Sequence, residues 1–292
     1  MKRKLNVPII MWILVLIVAI VQTARAFFVD LAHPIQLLFI FLPIVFAIFH
    51  ANLRYGWRGM LVFVISCLVV SNIFENMSVL TGFPFGNYYW TDVAGVKLFN
   101  IPLVVGPSYL STGYLSWVLA TTIVGDVYRK SNWFKTVAVP MIGAFFMVAW
   151  DLTIDPIMAT IDHVWIWEQG GGFFGVPLSN FLGWYFVVYV FMQIFALYLR
   201  SFRKNTENEP VVLDPAYEWQ ALVLYAFVAI NTVLRYIAWG ENVVVADQTG
   251  LTWQTANIGE SSAIMAIFVM LFGVAVACVN LAQKRMLENQ HK

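Results

Sequence analysis

Eight nearly unbroken apolar stretches constrain this chain more than any other feature. They lie near residues 7–24, 34–49, 59–78, 102–124, 136–154, 180–199, 217–239 and 258–281. Each is close to the ~20 residues that an α-helix needs to cross the hydrocarbon core of a bilayer. Backbone in lipid must satisfy its own hydrogen bonds, which leaves helices as the spanning elements here. The predicted fold is therefore all-α: a polytopic membrane helix bundle of about eight transmembrane helices, forming a single integral-membrane domain over residues 1–292. The composition agrees. The chain is 61% hydrophobic and only 11% charged, against about 25% charged in a soluble domain.

Loop charge sets an expected orientation. With Lys2, Arg3 and Lys4 in the cytoplasm, successive cytoplasmic loops hold Arg54 and Arg58, then Arg129, Lys130 and Lys135, then Arg200, Arg203 and Lys204. The tail adds Lys284, Arg285 and Lys292, while the opposite side receives only Arg25 and Lys97. That asymmetry predicts both termini inside, in a multi-pass protein of the cell membrane. The first stretch is expected to be retained as a helix, with "ARA" at 24–26 as the alternative cleavage point. The net charge of +1 gives no field for nucleic acid. Cys67 and Cys278 lie inside apolar runs and read as packed thiols.

Three outer loops, 79–101, 156–179 and 240–257, are long and rich in aromatic residues and glycine. Their apolar content argues against disorder and suggests that they fold back over a cavity. Tyr88, Tyr89, Trp90, Trp165 and Trp167 fit either an interfacial belt or a groove for a flat apolar molecule.

Ionisable residues inside a membrane span are functional candidates by default. Glu75 and Asn76 end the third stretch. Asp151 and Asp155, four apart, end the fifth, with Pro156 directly behind. Asn231 and Arg235 share a face of the seventh, and Glu260 opens the eighth. By topology all of these fall at one depth, near the outer interface. Structural roles compete with chemical ones. Asp155 before Pro156 reads as a helix N-cap, starting a short helix along the interface. Arg235 and Glu260 read as a buried ion pair that fixes helix register.

No nucleotide-binding or nucleophile-elbow motif occurs, and "GGG" at 170–172 reads as a turn because no strand precedes it. His33, His50, His163 and His291 show no metal-ligand spacing, and a di-iron hydroxylase needs many more histidines. Acids without a cofactor leave proton chemistry. A carboxylic acid in apolar surroundings can protonate a trisubstituted alkene to a tertiary carbocation, which carboxylates and aromatic faces then stabilise. Capture by water gives an alcohol, and closure on a neighbouring double bond gives a ring. A site beside the aqueous interface favours water.

The segments "ENMSVLTGFPFGNYYWT" (75–91), "DLTIDPIM" (151–158) and "GGFFGVPLSNFLGW" (171–184) resemble the carotenoid biosynthesis membrane-protein family, over about residues 35–281. That family includes carotenoid 1,2-hydratases and bisanhydrobacterioruberin hydratases. The resemblance implies a cofactor-independent hydro-lyase that adds water across the terminal double bond of an acyclic psi end group, with a lipid-soluble polyene and water as its partners. It leaves room for association with other enzymes of the same pathway. On this reading Glu75, Asn76, Asp151 and Asp155 are the catalytic candidates. Phe83, Phe85, Tyr88, Trp150, Trp167, Phe174 and Asn180 would line the substrate, and Asn231, Arg235 and Glu260 would support the cluster. An end-group cyclase using the same acid is the nearer alternative. A proton-coupled transporter is the more distant one, disfavoured because the acids sit at one interface instead of the midplane. A prenyltransferase would need aspartate-rich motifs with basic residues nearby, and the basic residues lie on the other side.

Overall fold

The computed structural model describes residues 7–28, 32–129, 131–201 and 216–290. Lys2, Arg3, Lys4, Lys130, Arg203, Lys204 and Lys292, on which much of the expected orientation rests, lie outside them, as does most of the loop at 201–216. The described residues are overwhelmingly helical. The long helices are α1 (Val7–Phe27), α2 (Ala32–Thr81), α3 (Val105–Val124), α4 (Trp133–Asp155), α5 (Leu178–Ser201), α6 (Ala216–Ile237), α7 (Thr255–Met265) and α8 (Leu271–Gln290). A turn of π-helix over Ala266–Met270 joins α7 to α8.

Six segments among the described residues are long and apolar enough to cross a membrane, where eight were expected from sequence. Two physical reasons account for the difference. First, the windows at 34–49 and 59–78 fall in one helical segment, α2, broken only at Gly56 (φ 71°, ψ 169°). Glycine takes this left-handed backbone without the steric penalty other residues incur. The chain folds back there. His50 and Phe63 would stand about 20 Å apart in a straight helix, yet both rings contact Tyr114. Second, α3 carries Ser, Thr, Tyr and Gly throughout, so it is less apolar than its neighbours. It is also the most enclosed helix, with every residue from Tyr109 to Thr121 buried. A helix wrapped by protein has no need of a lipid-facing surface.

One end of the bundle is locked by polar contacts. Arg54, 4% exposed, pairs with Asp126 and donates to Thr121 Oγ1 at 3.0 Å. Ser131 Oγ donates to the Asp126 carbonyl at 3.2 Å, and Arg200 donates to the Ser131 carbonyl. His50 bridges the Tyr114 hydroxyl at 2.6 Å and the Tyr217 carbonyl at 2.8 Å. From Trp57 the second limb of α2 rises about 27 Å to Glu75, so the acidic residues lie at the opposite end.

There the loops are ordered by short strands. β1 (Tyr88–Trp90) pairs antiparallel with β4 (Trp165–Trp167), matching Tyr88 with Trp167 and Trp90 with Trp165. Between them, β2 (Lys97–Leu98) and β3 (Ile101–Pro102) form a small hairpin. The third loop is the hairpin of β5 (Val244–Ala246) and β6 (Thr252–Gln254), and Trp253 packs on Phe174 of the second loop. The "GGG" stretch is a tight turn: Gly170 has φ +61°, and a Cβ on Gly171 would sit 2.1 Å from the Val176 backbone.

Candidate active site

A cavity of about 610 Å³ opens beneath the paired loops, lined by residues from α1 to α6 and from both strands of the β1–β4 ladder. Its acidic end is built from six elements, the helices α2, α3, α4 and α5 and the strands β1 and β4. The last turns of α2 bring Glu75, which is 4% exposed. Its two oxygens accept from the hydroxyl of Tyr109 on α3, at 2.9 Å, and from that of Tyr88 on β1. Burial, and then the negative charge of Glu75, push the Tyr88 phenol well above its ordinary value, so it remains a donor.

On α4 the four-residue spacing puts Asp151 and Asp155 on one face, and each is 1% exposed. Asn180, in the first turn of α5, bridges them: its amide donates to Asp151 Oδ2 at 2.9 Å and to Asp155 Oδ2. Asp155 Oδ1 accepts from the indole N–H groups of Trp165 at 2.9 Å and Trp167 at 3.4 Å. Both oxygens of Asp155 and of Glu75 are thus committed as acceptors. Among the described residues Asp151 accepts a hydrogen bond at one oxygen only. The three carboxyls lie close enough to feel one another's charge.

Aromatic rings complete the chamber. Trp184 stacks on Tyr109 with centroids 4.2 Å apart and meets Trp150 edge-on at 5.9 Å. Close backbone approach seats Phe85 beside this wall: a Cβ on Gly183 of α5 would fall 2.6 Å from its ring. Ser78 holds the same loop, accepting from the Phe85 amide and donating to the Gly86 carbonyl, both at 3.2 Å.

The structure brings together most of the residues expected from sequence. Glu75, Asp151, Asp155, Phe85, Tyr88, Trp150, Trp167, Asn180, Asn231 and Arg235 all line the cavity. Of the five aromatic residues that fitted either a belt or a groove, only Tyr89 is exposed, and the other four face this chamber.

Other expectations are corrected. Asn76 does not reach the cavity. Its amide donates to the Asn72 carbonyl at 2.9 Å and its oxygen accepts from the Asn100 amide at 3.3 Å, because the residue after Glu75 is turned about 100° around the helix. Phe83 is 55% exposed and packs on Phe74 and Phe186. Phe174 packs on Phe173 and Trp253, outside the lining. Asp155 is no N-cap: it has helical backbone, and the helix runs through Pro156 as a π-turn to Ile161. Its side chain is occupied by the indoles instead. Glu260 is exposed, and the one ion pair among the described residues is Arg54–Asp126, so no Arg235–Glu260 pair forms.

Tyr109 and Trp184 were not singled out from sequence as site residues, and Trp165 was read only as fitting a belt or a groove. Trp165 and Trp184 lay within recognised aromatic segments. Tyr109 offered only a tyrosine near the start of an apolar helix, which is an ordinary occurrence.

A family model described as carotenoid biosynthesis protein matches residues 35–246. Neither a curated protein nor a solved structure matches the chain. The matched residues carry the whole acidic end of the cavity, from Glu75 through Asp151 and Asp155 to Asn180 and Trp184. With that match covering well over half its length, this helical membrane protein belongs to the carotenoid biosynthesis protein family.

Proposed function

We propose that the protein is a carotenoid hydratase, adding water across the terminal double bond of an acyclic end group. The observation that supports this most is the pairing of three enclosed carboxyls with an aromatic, otherwise apolar chamber. Family membership supports a role in carotenoid biosynthesis; the hydration step rests on the geometry.

The roles divide by hydrogen bonding. Asp151 keeps one oxygen unengaged and is the proton donor. Its proton bonds to the less substituted alkene carbon, using the π pair, and the charge falls on the tertiary carbon. Glu75 and Asp155, with both oxygens held by donors, stay fixed as counter-charges. The indole faces of Trp150, Trp165, Trp167 and Trp184 add cation–π stabilisation. A water lone pair then forms the C–O bond, and the proton it releases returns to Asp151. The sum is one alkene plus one water giving one tertiary alcohol. Asn180 positions both aspartates, and no cofactor is required by this scheme. The expected setting is the cell membrane, with the acids toward the outer face.

The test is expression in a host that accumulates an acyclic polyene such as lycopene, followed by pigment mass and retention. A gain of one water in mass supports hydration. An isomer of unchanged mass with a ring would replace hydration by cyclisation on the same acid. Unaltered pigment in the presence of folded protein would refute both.

A further inference from the structure

The cavity has a second set of polar residues, on α1 and α6, helices that carry none of the three carboxyls. These helices run side by side in the same direction: Gln220 Nε2 on α6 donates to the Pro8 carbonyl on α1 at 3.0 Å. Further along each helix, Gln22 and Asn231 both face the cavity. Gln22 is 4% exposed. Its Oε1 and the Asn231 Oδ1 are buried and have no hydrogen-bond partner among the described residues. Arg235, one turn beyond Asn231, joins the same lining, and among the described residues no carboxylate pairs with it. Three hydroxyls of the same lining, on Ser108, Ser111 and Thr232, are satisfied locally, that of Thr232 by the Val228 carbonyl at 3.4 Å. Ser108 and Ser111 donate to their own helix backbone at 3.0 and 3.3 Å. Around them the lining is hydrocarbon, including Ile40, Pro43, Leu224 and Val228.

Buried polar atoms are normally hydrogen-bonded, so two unpartnered amide oxygens facing one chamber ask for a donor. The two acceptor oxygens disfavour an anion, and Arg235 disfavours a cation. What fits is a neutral group that donates to an amide oxygen and accepts from a guanidinium or amide N–H. A hydroxyl is the simplest such group.

We propose that Gln22 and Asn231, with Arg235 beside them, form a hydroxyl-binding subsite, holding the oxygen of water or of an alcohol carried by the polyene. It rests on the reading of the cavity as a polyene site. Gln22 lies ahead of the matched residues 35–246, so a helix outside the family match contributes to this selectivity.

The experiment uses purified wild type, Gln22→Leu and Asn231→Leu. Quenching of the cavity tryptophans is titrated with lycopene and with its terminal tertiary alcohol, and pigment is analysed in the producing host. If the hydroxyl belongs to the polyene, wild type binds the alcohol about tenfold more tightly than the hydrocarbon, and each variant loses that preference while keeping hydrocarbon affinity. If it belongs to water, the preference is absent, and the variants shift product from alcohol toward unhydrated double-bond isomers. Folded variants with unchanged preference and unchanged product overturn the subsite. If the leucine variants fail to fold, Gln22→Met and Asn231→Thr carry the same comparison. A wild type that makes no alcohol yet prefers the alcohol ligand would sink the hydratase reading and leave the subsite standing.

Discussion

Removing a single hydroxyl from Tyr109 isolates what Glu75 contributes. In Tyr109→Phe the ring keeps its 4.2 Å stack on Trp184, and only the 2.9 Å hydrogen bond to Glu75 is lost. A hydrogen bond to a charged group contributes about 1.5–3 kcal/mol. If Glu75 must be held as a counter-charge in the transition state, that loss lowers the rate roughly ten- to a hundredfold, at about 1.4 kcal/mol per decade. Binding should change little, because the hydroxyl faces Glu75 and not the hydrocarbon. The assay is turnover of an acyclic polyene in proteoliposomes, normalised to protein that elutes as a single species. A double-mutant cycle gives the sharper reading. In a Glu75→Gln background the same Tyr109→Phe change should cost much less, because the charge it supported is gone. Full activity in Tyr109→Phe, or an equal loss in both backgrounds, would refute the placement of Glu75 as a counter-charge.

Three further outcomes are expected. Asp151→Asn should abolish turnover while leaving membrane expression intact, since an amide cannot supply the proton; near-normal hydrated product from that variant would remove Asp151 as donor. Asp126→Ala leaves the buried Arg54 without its carboxylate partner, which costs about 3–5 kcal/mol in comparable sites; the measurable effect is a lower melting temperature and yield, with specific activity of the surviving protein near normal. Glu260→Ala should change neither yield nor activity, because the residue is exposed and unpaired with Arg235; a clear loss of yield on a thermal-shift assay would restore a structural role for it.

Much of this arrangement was legible in the sequence because membranes penalise charge. Asp151, Asp155 and Glu75 stood out as acids at the ends of apolar runs, and their shared depth followed from loop charge. Asn180 could be read from the segment that holds it. The strand pairing of the two loops was less visible, although their aromatic content already argued for order over a cavity. What failed were claims about which way a side chain turns. Asn76 is adjacent to Glu75 but faces Asn100. Arg235 and Glu260 were expected at one level, yet a pair between two helices also depends on the rotation of each about its own axis. A few polar positions in an otherwise apolar helix do not set that rotation. The helix count differed for another reason. Two apolar windows separated by a glycine read as two spans, and the chain does fold back at Gly56, so the two limbs of α2 make up one of the six apolar segments.

The first helix packs on the bundle and reaches the chamber through Gln22. Met11, Val15, Val18 and Ala19 are buried against the rest of the bundle, the Pro8 carbonyl anchors Gln220, and Gln22 faces the cavity. A chain trimmed back to the start of α2 would retain every carboxyl and indole described above. It would nevertheless expose the reaction space sideways to acyl chains. Such a truncated protein should lose discrimination among polyenes before it loses acid strength.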